Sequence, residues 1–164
     1  MRGEDELFAD LAALSIPHDV HEHPAVFTVE ESADIKAHLP GTHTKNLFLR
    51  DTTGSFWLVT VRADIRVDLK ALPQVLQSKR FSFGKAEEME QLIGVTPGSV
   101  TPLAMVNAAP GSVNFAMDAA LAEAELVNVH PLRNTATLGL APDDLMQLME
   151  RWGHAVAVVA IPTI

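Results

Sequence analysis

The chain has 164 residues, 48% of them hydrophobic, no cysteine and a formal net charge of −9. Its length and apolar content fit a single domain over residues 1–164 that buries about two-thirds of its unfolded surface, and with no apolar run of membrane-spanning length and an acidic start unlike a secretory leader, no membrane partner is expected. The lack of cysteine excludes disulfides, thiolate metal sites and a cysteine nucleophile and suits a cytoplasmic setting, while the acidic surplus excludes a general nucleic-acid binder.

Leu7, Phe8, Leu11 and Leu14 follow helical spacing, which predicts an amphipathic helix ending before Pro17, then an extended piece through His23. Thr28 and Glu31 stand as a capping box, so a second helix is expected from Thr28 to about His38, closed by Pro40 and Gly41. Residues 46–51 and 55–61 are apolar, β-branched or aromatic runs around Thr52, Thr53 and Gly54, the pattern of a β-hairpin. Leu69, Leu72 and Leu76 predict a third helix, and residues 86–93 a fourth with Gly94 as its left-handed stop. A loop punctuated by glycine and proline follows over 95–102, with strands expected at 103–107, 112–117, 126–130 and 135–140. Pro142 in a first turn, then Leu145, Leu148, Met149 and Trp152 before Gly153, predicts the last helix. Residues 155–161 read as a buried closing strand. Helices and hairpins interleave without strict strand-helix alternation, so the expected class is α+β, a mixed, largely antiparallel sheet flanked by helices.

Charge is unevenly spread. Residues 1–34 hold nine acids and one base, whereas residues 62–85 hold six of the twelve cations, Arg62, Arg66, Lys70, Lys79, Arg80 and Lys85, against only Asp64 and Asp68. Such a strip is either a solvated face or a local phosphate-binding surface on an otherwise repulsive protein.

Generic catalytic motifs are absent: the chain has no G-x-S-x-G elbow, no phosphate-binding G-x-x-x-x-G-K and no H-E-x-x-H. His18, His21 and His23 include two imidazoles on one strand face, but no carboxylate or fourth ligand at useful spacing supports a metal there. Pro131 keeps His130 out of the helical region, placing it at a strand end where its side chain can enter a cleft. Lys45, before the apolar Leu47, reads as a charge at the mouth of the first hairpin strand. Gly98 to Pro102 has the spacing G-x-x-x-P, a tight loop able to offer the amides of Ser99, Val100 and Thr101 to a carbonyl oxygen or oxyanion.

Four blocks occur in order: His23-Pro-Ala-Val-Phe-Thr-Val-Glu-Glu, Lys45-Asn-Leu-Phe-Leu-Arg-Asp, Gly94-Val-Thr-Pro-Gly-Ser-Val-Thr-Pro and His130-Pro-Leu-Arg-Asn-Thr-Ala-Thr. This succession resembles the YbaK-like and prolyl-tRNA-synthetase editing-domain family over nearly the whole chain, and is most similar to free-standing members that clear alanine from proline-specific tRNA. The resemblance implies hydrolysis, without a cofactor, of the ester joining a mischarged amino acid to the terminal ribose. It implies an editing pocket of Lys45, the Gly98 to Pro102 loop and His130, with Asn46 beside the lysine. Val129 stands before His130 where relatives often carry an aromatic residue, which bears on pocket shape.

The implied partner is the acceptor end of proline-specific tRNA carrying a small amino acid, with prolyl-tRNA synthetase as a second partner and Lys79, Arg80 and Lys85 as the cations for RNA. A synthetase active site built for proline cannot reject the smaller alanine by much more than about 1–3 kcal/mol, so a separate size-excluding pocket makes chemical sense. A cysteinyl ester as substrate, a non-catalytic tRNA- or synthetase-binding module, and a metal-dependent hydrolase through the histidine trio are the alternatives.

Overall fold

The computed structural model of the protein describes residues 2–25 and 39–164; the helix expected from Thr28 to about His38 lies outside them. Its first element, α1 (Glu4–Ala13), starts where the Gly3 amide donates to the Glu6 carboxylate at 2.9 Å, and it buries Leu7 and Leu11 on one side. β1 (Asp19–Glu22), β2 (Thr42–Asp51) and β3 (Phe56–Arg62) follow, the last two paired without interruption from Thr44↔Arg62 to Arg50↔Phe56. The hairpin is therefore present, with its first strand beginning four residues before the expected position.

Next come α2 (Leu72–Leu76), β4 (Phe81–Phe83) and α3 (Ala86–Ile93), which Gly94 closes at φ +69°. Residues 103–107, expected as a strand, belong instead to a 3-10 segment, Pro102–Asn107, preceded by a shorter one at Pro97–Ser99. Residues 102–106 are all buried, and a short, wholly apolar run carries no alternation by which a strand differs from a buried helical turn. The Thr101 hydroxyl decides the outcome locally by accepting the Leu103 amide. β5 (Val113–Asp118), α4 (Ala119–Ala122), β6 (Val127–Val129), β7 (Ala136–Leu140), α5 (Pro142–Arg151) and β8 (Val156–Val159) complete the chain.

The strands form one mixed sheet in the order β1-β7-β6-β2-β3-β5-β8. β1–β7, β6–β7, β2–β3 and β2–β4 are antiparallel, while β2–β6, β3–β5 and β5–β8 are parallel. β3 occupies one edge of β2 throughout, so β6 at residues 42–43 and β4 at residues 49–51 share the other edge at opposite ends. Between them β2 is open to loops.

Side-chain alternation sorts the sheet into two faces. Phe48, Leu58, Val127, Val129, Leu138 and Leu140 join the larger core with α1, α3, α5 and the second 3-10 segment. Leu49, Val59, Val61 and Ala116 face a smaller core closed by Leu72 and Leu76 of α2 and by Ile161.

Candidate functional site

Where β2 meets β6, the face opposite the larger core turns polar. Val127 and Val129 point into that core, so Asn128 between them points the other way, as does Thr137 between Ala136 and Leu138. The parallel register His43↔Asn128 sets His43 on the same face, where Nδ2 of Asn128 lies 3.4 Å from Nδ1 of His43. Two residues further along β2, alternation puts Lys45 on this face too. Its ammonium donates to the carbonyl of Ile65, just past β3. His23 joins from the end of β1, its Nε2 2.8 Å from the Thr137 hydroxyl. A cavity of about 350 Å³ lies at the β6 end of β2, lined by Gly41, Thr42 and His43 on one side and Arg62, Ala63 and Asp64 on the other; Lys45, the Gly98 to Pro102 loop and His130 are not among its lining residues. Arg62 and Asp64 pair at 2.7 Å along one side of its rim, both largely exposed.

His130 follows β6 directly. Counting the β2–β6 register onward from His43↔Asn128 brings His130 level with Lys45 as the two strands separate. Nδ1 of His130 lies 3.0 Å from the Ala136 carbonyl, which can only accept, so Nδ1 carries the hydrogen and Nε2 is the basic nitrogen. Burial holds His130 below the ordinary imidazole range, against the Ala136 carbonyl, which favours the cation, and with nearby His23 adding a small push the same way as burial. The ring is thus neutral at neutral pH, with a lone pair on Nε2.

The Gly98 to Pro102 loop is tied to both neighbours. Thr101 donates its hydroxyl to the His130 carbonyl at 2.6 Å, and the Asn46 amide donates to the Val100 carbonyl at 3.1 Å. Asn46 also accepts the Thr60 hydroxyl at 2.7 Å, so both ends of its amide are engaged on the face away from Lys45. These two bonds tie the loop to β2 and β3. Within the loop the Ser99 amide donates to Thr96, and Gly98 is not among the glycines with positive φ. Pro102 is buried and begins the second 3-10 segment. Among the described residues, no hydrogen bond joins Lys45 to the loop or to His130.

The profile of the aminoacyl-tRNA editing domain matches residues 23–148. A Bos taurus protein named prolyl-tRNA synthetase associated domain-containing protein 1 is 42% identical over 149 residues, covering 88% of this chain and 86% of the relative. The chain belongs to the aminoacyl-tRNA editing domain family. The prolyl-tRNA editing protein ProX of Acetoanaerobium sticklandii is 30% identical over 162 residues, covering 98% of this chain and 99% of its own. A solved structure described as a candidate trans-editing enzyme for prolyl tRNA synthetase superposes with a TM-score of 0.70 over 100% of this chain and 99% of that one; at 20% identity this likeness speaks for the fold.

Within this editing domain the basic strip divides. Arg62 lies at the cavity, whereas Lys79 and Arg80 flank the far end of β2, where the Lys79 amide meets Asp51 and the Arg80 carbonyl accepts the Thr52 amide. Six residues of strand separate Lys45 from Asp51, about 20 Å at some 3.3 Å per residue. Lys85 begins α3, its amide held by Glu88. Between these cations β4 exposes Phe83, 62% accessible. The early histidines also part: the His18 ring bonds the Ile16 carbonyl and packs on Phe8, while His23 serves Thr137. No helix of the described residues is long and apolar enough to cross a membrane.

Sequence reasoning missed Asn128, Thr137 and His43. An available signal was the isolated asparagine in Val-Asn-Val, since a polar residue between two inward valines of a strand marks the opposite face.

Proposed function

We propose that this protein hydrolyses the ester that joins a small amino acid, alanine foremost, to the 3′ end of proline-specific tRNA. The observation that carries the reading is the neutral, Nδ1-protonated His130, whose backbone is fastened to the Gly98 to Pro102 loop and which stands level with Lys45. The family membership and the names of its relatives, one an editing protein and another associated with prolyl-tRNA synthetase, favour this substrate and that synthetase as a partner.

An aminoacyl ester is intrinsically reactive, so the protein chiefly has to position water and stabilise developing charge. Nε2 of His130 accepts a hydrogen bond from the attacking water or the ribose hydroxyl, with the ring oriented through Nδ1. Lys45 leaves the Ile65 carbonyl to meet a terminal phosphate, a charge-assisted exchange in which a weaker neutral acceptor is replaced. The amides of Gly98 and Val100 hold the ester carbonyl or the amino-acid end; the Ser99 amide already donates to the Thr96 carbonyl, and Thr101, with no exposed surface, is out of a substrate's reach. A small pocket admits a methyl side chain and refuses a pyrrolidine ring. Lys79, Arg80 and Lys85 take phosphates farther along the acceptor stem, about 20 Å away by strand length.

The test is a panel of proline-specific tRNA charged with alanine, cysteine or proline, and alanine-specific tRNA charged with alanine. The expected outcome is fastest release of alanine from the proline-specific tRNA with prolyl-tRNA spared. Equal loss of proline refutes the size sieve, faster loss of cysteine reassigns the substrate, and no release from any of them leaves a binding module.

A further inference from the structure

We propose that Asn128 is the positioning residue that sets the width of the cavity, and that residues 41 and 139 are glycines because its amide, together with Leu126, occupies the space their side chains would need. The inference rests on the functional reading above. Asn128 is a polar side chain only 4% exposed, in the middle of β6. Its Nδ2 donates to the Pro40 carbonyl at 2.7 Å, which settles the orientation of the amide, because a carbonyl cannot donate. The same nitrogen lies 3.4 Å from Nδ1 of His43.

Two glycines from separate segments press on this one group. A Cβ at Gly139, the register partner of Asn128 on β7, would sit 3.2 Å from Oδ1 of Asn128 and 3.1 Å from Cδ2 of Leu126. A Cβ at Gly41 would sit 3.3 Å from Nδ2 of Asn128 and 3.1 Å from the same Leu126 carbon, at φ +96°, where a side chain is strained in any case. The amide and Leu126 thus fill the space between β7 and the segment that opens β2.

That segment is one wall of the cavity. Gly41, Thr42 and His43 line it, facing Arg62, Ala63 and Asp64. Besides the strand pairing of Thr42 with Val127 and His43 with Asn128, the wall is tied to the β6 segment by the Thr42 amide to the Leu126 carbonyl at 2.9 Å, the Thr44 hydroxyl to the Asn128 carbonyl at 2.7 Å, and the Asn128 side chain. The first two are bonds to backbone, and any residue at 128 keeps them. The bond to Pro40 is the one that side chain 128 alone supplies, and it fixes the wall at the residue before Gly41. Without it the residue before Gly41 loses its tie to β6 while the paired strand stays in place, so the Gly41 end of the cavity loosens, and with that cavity as the place of the amino-acid side chain, selectivity falls before the chemistry fails.

The experiment compares wild type with Asn128→Ala, Asn128→Ser and Asn128→Asp, each checked for folding by circular dichroism, in steady-state hydrolysis of alanyl and prolyl esters of proline-specific tRNA. For Asn128→Ala, KM for the alanyl ester rises and the alanine-to-proline preference falls about tenfold, the scale of removing one hydrogen bond, with kcat much less changed. Asn128→Ser, which keeps a small donor, lies between, and supplies the answer if the alanine variant does not fold. Asn128→Asp is the sharper probe. Ionised, it cannot donate to the Pro40 carbonyl; protonated, it can, so its selectivity recovers as pH falls, a recovery the non-titrating wild-type amide does not produce. Unchanged preference in the folded Ala or Ser variant, together with a pH profile of the Asp variant parallel to wild type, overturns the proposal while wild-type hydrolysis stands. Absence of hydrolysis by wild type overturns the functional reading, and this inference with it.

Discussion

Thr101 donates its hydroxyl to the backbone carbonyl of His130 at 2.6 Å, from a side chain with no exposed surface. One buried hydroxyl therefore links the loop to the histidine, and it also accepts the Leu103 amide that opens the second 3-10 segment. Thr101→Val keeps the shape and removes both bonds. The expected cost is about 1–3 kcal/mol of stability from two groups left unpaired, with a fall in alanyl-tRNA hydrolysis larger than that of a distant core variant of equal stability. Thermal melting beside single-turnover hydrolysis separates the two effects.

Lys45 donates through its ammonium to the Ile65 carbonyl from a half-buried position on β2. Lys45→Ala should lower hydrolysis about ten- to a hundredfold, the worth of one charge-assisted hydrogen bond, while the melting temperature moves by a few degrees at most. A folded alanine variant with full activity removes Lys45 from the mechanism.

The depressed proton affinity of His130 has a defined sign in stability. The unfolded chain takes up the proton near the ordinary value of 6.5 and the folded chain only at lower pH, so this contribution is complete above 6.5 and declines as pH falls through 6.5 toward the folded value. Melts of wild type and His130→Asn from about pH 8 to pH 5 should diverge least at the acid end. Because the neutral ring persists in the folded protein, hydrolysis should hold below pH 6.5 before dropping; an activity midpoint above 6.5 excludes His130 as the titrating group.

Lys79 and Arg80 lie far from the cavity along β2, so their effect should be on RNA affinity with little on the chemical step. Changing both to alanine should flatten the plot of log affinity against log salt by about one to two units, near 0.9 for each phosphate no longer neutralised. An unchanged slope removes them from the RNA surface. The measurement needs only uncharged tRNA and fluorescence anisotropy, and is therefore independent of activity.

Helices with strong end signals were legible before any coordinates: α3 lies at Ala86–Ile93 with Gly94 in the left-handed region, and α5 starts at Pro142. There the period, the cap and the stop are all local, so a few neighbouring residues decide them. The run 103–107 misled because it is apolar for most of its length and largely buried, leaving periodicity nothing to report. β4 was invisible for the opposite reason. Its three residues sit among cations and become a strand only because β2 offers them an open edge at residues 49–51.

By itself, the amino-acid order determined the helices with clear end signals, the first hairpin, the α+β class and the family resemblance. Local sterics and spacing act over a few residues, and such information survives in one dimension. Only the tertiary structure decided that Lys45 and Asn46, adjacent in sequence, serve opposite faces of the sheet, that the basic strip splits between two ends of β2, and that the Asn128 side chain reaches from β6 to the carbonyl of Pro40. Those facts follow from strand register and side-chain alternation, where a shift of one residue exchanges the faces, and register is set by pairing between segments as distant as residues 42 and 127.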